Sequence, residues 1–274
     1  MAMMEQTPKR IVSVSSGLGS AYVWKLVADR YGPENVTGVF TDVNGEHPDN
    51  YRFLAETQYA IGSRLIKITN NGDTIWDVFK RHRFLGNTRV DLCSRILKRE
   101  AFLSWLRGNV DPSNTVISLG IDWTEAHRFD RARPRWAAEG FTIDAPLIDH
   151  PRDKHDAQAW LDAEGIRRPY LYDLGFEHAN CGGGCVKAGV KQFKRLLAGD
   201  RRWYINWWEK GEEDVRRHLG RDDIAILRDR RGGVTRPLTL RELREQVEAQ
   251  PDLFDDEPEG PGCGVCFLEP GEAA

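Results

Sequence analysis

Short β-branched runs alternate with helix-length amphipathic segments through the first half of the chain, and this rhythm dictates a layered architecture. Arg10–Ser15 (RIVSVS) reads as a buried strand. After a turn at Gly17–Ser20, residues Ala21–Tyr31 carry apolar side chains at helical spacing. Val36–Thr41 is a second strand, Asn50–Ile61 a helix and Arg64–Ile68 a third strand. Thr74–Arg81 and Ser94–Leu106 read as helices, and Thr115–Leu119 as a fourth strand. Strands that alternate with helices predict an α/β fold, a parallel sheet with helices on both faces.

The rhythm then changes. Thr142–Pro146 reads as one more strand and Asp156–Glu164 as a helix. From Val186 to about Trp208, Val186, Val190, Phe193 and Leu197 recur at helical spacing. Ile224–Leu227 and the turn at Arg228–Gly233 suggest a small hairpin, and Thr239–Ala249 another helix. Pro251–Gly262 is acidic and rich in proline and glycine, the composition of a flexible linker. The expected division is a nucleotide-binding α/β domain over 1–150, a smaller, mostly helical, cysteine-containing part over 151–250, and a linker with a cysteine tail over 251–274.

A net charge of −3 over 274 residues excludes a polycation, so any nucleic-acid contact has to come from a local patch. No apolar run is long enough to span a membrane, and Met1–Arg10 lacks the apolar core of a secretory signal. A cytoplasmic protein with no membrane partner is expected. Five cysteines, unevenly placed at 93, 181, 185, 263 and 266, then point to reduced thiols, metal binding or catalysis rather than disulfides.

Ser15-Ser16-Gly17-Leu18-Gly19-Ser20 leaves the first strand and opens a helix, where backbone N–H groups and the helix dipole hold anions. The glycines let a phosphate approach the backbone, and the hydroxyls add donors. The loop is neither a Walker loop nor the spaced-glycine dinucleotide fingerprint. It resembles the loop of the PP-loop ATP pyrophosphatase and phosphoadenylyl-sulfate (PAPS) reductase superfamily, usually SGGxDS. Ser16, Gly17 and Ser20 match, Leu18 replaces the second glycine, and Gly19 replaces the aspartate. Phe40-Thr41-Asp42 resembles the end of the second strand beside the nucleoside. Leu119-Gly120-Ile121-Asp122, with Glu125 and Arg128, resembles the segment after the fourth strand. The resemblance, over roughly 10–194, implies an adenine-nucleotide site built from Ser15, Ser16, Gly17, Gly19, Ser20, Asp42, Gly120, Asp122, Glu125 and Arg128. Its ligand would be ATP or adenylated sulfate, with magnesium as a further candidate.

Asp91–Lys98 (DLCSRILK) resembles the reductase segment in which a cysteine precedes basic residues. Cys181-Gly-Gly-Gly-Cys185 sets two thiols on a glycine loop that is expected to open a helix at Val186, whose amides would stabilise thiolates. Iron–sulfur clusters take about four cysteine ligands; Cys93, Cys181 and Cys185 supply three, and Cys266, or else Cys263, supplies the fourth. A cluster with three protein ligands and an open iron, a tetrahedral zinc, and simple structural thiols are the alternatives. Gly-Cys263-Gly-Val-Cys266 also resembles the reductase's C-terminal catalytic segment, which makes Cys263 and Cys266 candidate nucleophiles. Lys187, Lys191, Lys194, Arg195, Arg201 and Arg202 lie near Trp203, Tyr204, Trp207 and Trp208, a nucleic-acid-like mixture. The shared helical face of those aromatics favours core instead. Arg228–Arg231 and Arg236 form a second basic group, and His127 and His178 read as structural.

Two enzymatic functions follow. The leading one is ATP-dependent sulfur transfer to a nucleic acid, tRNA or DNA, from a sulfur donor through the cysteine-bound cluster. The other is a sulfonucleotide reductase, supplied with electrons by a thioredoxin-like protein. A nucleotide-binding accessory protein without catalysis is the third reading.

Overall fold

The computed structural model describes residues 8–85, 92–149 and 154–254. β1 (Lys9–Val14) leads into α1 (Leu18–Tyr31), and β2 (Val36–Thr41) into α2 (Pro48–Ile61). β3 (Arg64–Ile68), α3 (Ile75–Arg81), α4 (Leu92–Ser94), a π-helical stretch at Arg95–Glu100 and α5 (Ala101–Asn109) follow. β4 (Thr115–Ser118), α6 (Ala126–Ala138), β5 (Thr142–Asp144) and α7 (Pro146–Asp149) complete the sheet layer. The fifth strand is shorter than its sequence suggests, because the chain turns at Ala145 and Pro146 starts a helix, where its fixed φ is tolerated.

The five strands pair in the order β3-β2-β1-β4-β5, all parallel. Alternation along β1 explains why helices cover both faces. Val12 and Val14 join a core with α1 and α2, while Ile11 joins one with Phe102 and Leu106 of α5 and Trp136 of α6. α8 (Lys154–Ala163) adds Trp160 and Leu161 to the first of these cores.

The remaining chain is mostly helical. α9 (Tyr170–Asp173), α10 (Val190–Gly199) and α11 (Arg201–Trp203) precede a second π-helical stretch, Tyr204–Glu209, which continues as α12 (Lys210–Leu219). β6 (Leu227–Asp229) and β7 (Arg236–Leu238) form an antiparallel pair, and α13 (Leu240–Ala249) closes the described chain behind a Thr239–Glu242 capping box. The helical run expected from Val186 does not start there. Val186–Gly189 is a turn, α10 begins at Val190, and Gly199-Asp200 breaks the helix before Arg201. Of the linker expected over Pro251–Gly262, only Pro251–Phe254 falls within the described residues, and it is packed. Leu253 accepts a hydrogen bond from Lys194 at 3.0 Å, and Phe254 is buried beneath Arg231.

Candidate functional site

β1 and β4 are neighbours, and the chain leaves them toward opposite flanks of the sheet. The crevice beyond their carboxyl ends is where open α/β sheets take ligands. The Ser15–Ser20 loop leaves β1, and the segment from Leu119 leaves β4. The two backbones touch: a Cβ on Gly120 would stand 3.1 Å from Ser20 Cα and 3.2 Å from Ser20 N. Within the loop, the Ser20 hydroxyl accepts from Ser15 N–H at 2.9 Å and lies 2.9 and 3.1 Å from the Ser15 and Gly17 carbonyl oxygens. Gly17 caps α1 in an extended conformation with no side-chain cap, and the first turn carries no acid. This uncapped helix end presents positive potential to the crevice. Tyr172, from α9, accepts a hydrogen bond from Leu18 N–H at 3.2 Å, and burial pushes its hydroxyl pKa up, so it keeps its proton.

A buried polar chain runs from this loop. Asn50 on α2 donates to Ser16 Oγ at 2.9 Å, to Glu46 Oε2 at 3.1 Å and to the Ala179 carbonyl at 2.8 Å. Glu46 Oε1 lies 3.7 Å from Lys98 Nζ, and both side chains are almost fully buried. Lys98 Nζ in turn lies 3.9 Å from Cys181 Sγ. Ser16, Asn50, Glu46, Lys98 and Cys181 are therefore in continuous contact from the anion loop to a thiol.

Cys93, Cys181 and Cys185 line one cavity, together with Ser94, Lys98, Lys187 and Trp208. Lys98 lies in the π-helical turn at Arg95–Glu100, immediately after Ser94 of α4, and Trp208 lies in the second π-helical turn. Such turns recur at functional sites because the widened helix re-aims its side chains. On the opposite wall Cys181, Gly182 and Gly183 all have positive φ, at 54°, 61° and 80°. A Cβ at Gly182 would fall 2.6 Å from Trp203 Nε1, and one at Gly184 would fall 2.1 Å from Trp208 Cε2. The glycines thus let two tryptophans press directly on the cysteine loop, and Trp203 Nε1 donates to the Gly182 carbonyl at 2.8 Å. Since α10 starts only at Val190, the amide beside Cys185 comes from a turn and not from a helix N-terminus: Lys187 N–H donates to Cys185 Sγ at 3.4 Å.

Three thiols on one cavity are the donor chemistry of a cluster or a zinc site. Among the described residues, however, no group of three or more His, Cys, Asp and Glu side chains stands in an arrangement that could hold a metal ion. Cys263 and Cys266 lie outside the described residues.

The other sequence-derived positions divide. Gly17, Gly19, Ser20 and Gly120 meet at the crevice. Asp42 is fully buried and engaged: its Oδ1 accepts from Asn44 N–H at 2.7 Å and from the Tyr51 hydroxyl at 2.9 Å. Lys67 Nζ stands 2.7 Å from Oδ2 at an angle poor for a hydrogen bond, so that contact is ionic. Asp122 caps its own turn through Thr124 N–H at 2.8 Å, and Glu125 pairs with Arg128. These bonds are local, so neither the pair nor Asp122 joins the loop through them. Trp208 and Tyr204 are buried, as the core reading expects, and Trp203 stacks on Trp207 with centroids 5.5 Å apart. In the second basic group Arg231 and Arg236 converge on Asp229, whose carboxyl they hold well below its usual range. His127 and His178 are exposed.

Sequence reasoning missed Glu46, Asn50, Ser94 and Tyr172. The available signal was polar residues at buried helix spacing, such as Asn50 ahead of Phe53, Leu54 and Thr57 on one face of α2. Among the described residues no helix is long and apolar enough to cross a membrane.

No curated protein matches the chain. Among solved structures it is similar to a phosphoadenylyl-sulfate (PAPS) reductase from Candida auris in a phosphate complex, at 18% identity and a TM-score of 0.47. That alignment covers 63% of this chain and 80% of that one. Residues 9–183 match the family described as the phosphoadenosine phosphosulfate reductase domain, which takes in the loop, the crevice, Cys93 and Cys181 and ends two residues short of Cys185. The chain belongs to the phosphoadenosine phosphosulfate reductase domain family, within the PP-loop ATP pyrophosphatase and PAPS reductase-like superfamily.

Proposed function

We propose that the protein is a sulfonucleotide reductase: it binds an adenylated sulfate in the crevice between β1 and β4 and reduces its sulfur with cysteine thiols. The observation that carries this reading is the buried contact chain from Ser16 to Cys181, because it joins an anion loop and a thiol cavity into one site. The nucleotide's phosphate meets Ser15–Ser20 at the end of α1. A thiolate, from Cys263 or Cys266 in the family's manner, attacks the sulfur. An S–S bond forms, the S–O bond breaks, and the adenosine phosphate leaves. A second thiol displaces sulfite and leaves a disulfide, which a thioredoxin-like protein reopens. The test is anaerobic incubation of the full chain with adenylated sulfate and a dithiol. Sulfite release supports the reading, and nucleotide binding with no sulfite overturns it.

A second reading is ATP-dependent sulfur transfer to a tRNA or DNA, with an iron–sulfur cluster on Cys93, Cys181, Cys185 and Cys266. The convergence of three thiols on one cavity favours it. Its signature would be pyrophosphate release from ATP by an anaerobically purified protein that carries iron and acid-labile sulfide. Zinc in place of iron would support a structural cysteine site instead.

A further inference from the structure

We infer that the cysteine cavity is a sulfane-sulfur site, in which Cys181 takes the terminal sulfur of a persulfide and holds it as a hydropersulfide anion. This goes beyond reduction at the nucleotide crevice and stands or falls independently of it.

The lining suits that guest. Lys98, almost fully buried, brings its ammonium within 3.9 Å of Cys181 Sγ. Ser94 and Trp208 also line the cavity, but Ser94 Oγ and Trp208 Nε1 are buried behind a surface that is apolar. The rest of the wall is soft or apolar, including Val43, Ile75 and Val186. No arginine lines it and its exposed surface is apolar, so it lacks the donor cage that a sulfate or phosphate needs. A small polarizable pocket with one buried ammonium beside Cys181 matches sulfane sulfur.

The two cysteines of the loop are not equivalent. Cys181 is half-buried, whereas Cys185 is buried. Cys181 also has a left-handed backbone, at φ 54° and ψ 31°, which a residue with a Cβ adopts at a cost. The donor therefore meets Cys181 first, with its sulfur fixed beside Lys98.

In the loading step the Cys181 thiolate attacks the terminal sulfur of R–S–SH. The new S–S bond joins Cys181 to that sulfur, the old S–S bond breaks, and its electron pair leaves with R–S⁻. No oxidant is consumed, and the terminal proton then passes to solvent. Attack by the Cys185 thiolate on the inner sulfur expels hydrosulfide and leaves a Cys181–Cys185 disulfide, which a dithiol reduces.

The experiment treats the reduced, anaerobically purified full chain with glutathione persulfide and follows it by intact mass and persulfide-tag peptide mapping. The expected result is one added sulfur atom per chain, on the peptide that holds Cys181. Cys181→Ser abolishes it and Cys93→Ser keeps it. Lys98→Met loads about tenfold more slowly, as expected of a thiolate that has lost its counter-ion, and Lys98→Arg restores part of the rate. Wild-type mapping needs no variant, so a misfolded Lys98→Met protein leaves the test intact. Labelling confined to Cys263 or Cys266, no labelling at all, or iron bound by the three cavity thiols each overturns the inference. Sulfite release from adenylated sulfate is a separate readout, so the two can fail independently.

Discussion

At the crevice between β1 and β4, Gly120 leaves no room for a Cβ, and its neighbour there cannot step aside. A methyl group would press on Ser20 backbone atoms at 3.1–3.2 Å, which move only if the loop moves. Gly120→Ala should weaken adenine-nucleotide binding about tenfold while the fold stays intact, because close backbone approach is what glycine permits there. Calorimetry with adenylated sulfate and with ATP checks this, and unchanged affinity for both would remove the crevice as the nucleotide site. Lys98 carries a different kind of constraint. Lys98→Met leaves the Glu46 carboxylate buried with only neutral donors, Asn50 and Ser16, described on it, so it should destabilise the protein by about 3 kcal/mol, as removal of one partner of a buried ion pair does. Chemical denaturation measures the loss, and a cost under about 1 kcal/mol would mean the pair is solvated as surface pairs are. These two residues differ in legibility. Gly120 stands out by its place after a strand and by the family resemblance. Glu46 and Asn50 carry no motif, and their importance comes from tertiary contacts with Ser16 and Lys98 that no local pattern encodes.

Elements were more legible than side-chain roles. β2 and β3 span the expected runs Val36–Thr41 and Arg64–Ile68, whereas the order β3-β2-β1-β4-β5 comes from tertiary pairing that no local run encodes. The misread elements are those in which glycine and proline, rather than apolar spacing, set the boundary. Val186 fits the helical spacing of α10, yet it sits in the turn before that helix. The cysteine loop is fixed from outside by the π-helical turn that carries Trp208. Gly184→Ala would place its Cβ 2.1 Å from Trp208 Cε2 and should cost about 3 kcal/mol through overpacking. A thermal shift with altered alkylation of Cys181 and Cys185 would report it, and an unchanged protein would mean the loop is not held by the tryptophan. The hairpin of β6 and β7 has its own anchor. Glu212 on α12 accepts Ile226 N–H at 2.7 Å and Leu240 N–H at 2.6 Å, and burial outweighs these bonds to raise its pKa from 4.5 to about 7. The folded state therefore holds this proton more tightly than the unfolded chain does. That contribution is complete below pH 4.5 and is lost as pH rises through about 7. At about 1.4 kcal/mol per pKa unit it amounts to about 3 kcal/mol. Glu212→Gln should flatten the fall in stability between these pH values in denaturant titrations, and a wild-type curve already flat there would contradict the assignment.

Across the whole molecule, the sheet layer and the helical part meet at the thiol cavity. Its walls come from the turn after β2, the α4 region, the cysteine loop and the π-helical turn ahead of α12. This convergence explains why three cysteines separated by up to ninety-two positions share one space, and why spacing alone could not separate metal ligands from nucleophiles. The remaining two cysteines follow a packed stop. Phe254 is buried in the helical core under Arg231, and Leu253 accepts from Lys194, so the described fold is closed off there. Truncation after Asp256 keeps these contacts and removes Cys263 and Cys266. The truncated protein should keep its melting temperature within a few degrees, since the contacts described among residues 8–254 are retained and a 1 kcal/mol change would move it by about 2–4 °C. It should also bind adenylated sulfate with wild-type affinity, because Ser15–Ser20 and Gly120 are untouched. Sulfite production should fall to background if a tail thiol is the nucleophile. Scanning calorimetry, nucleotide titration and a sulfite assay on one preparation separate the contributions. A truncated protein that still makes sulfite at the wild-type rate would move the nucleophile to the cavity, with Cys181 as its half-buried thiol beside Lys98. One that no longer binds nucleotide would show that residues beyond Asp256 help to close the crevice.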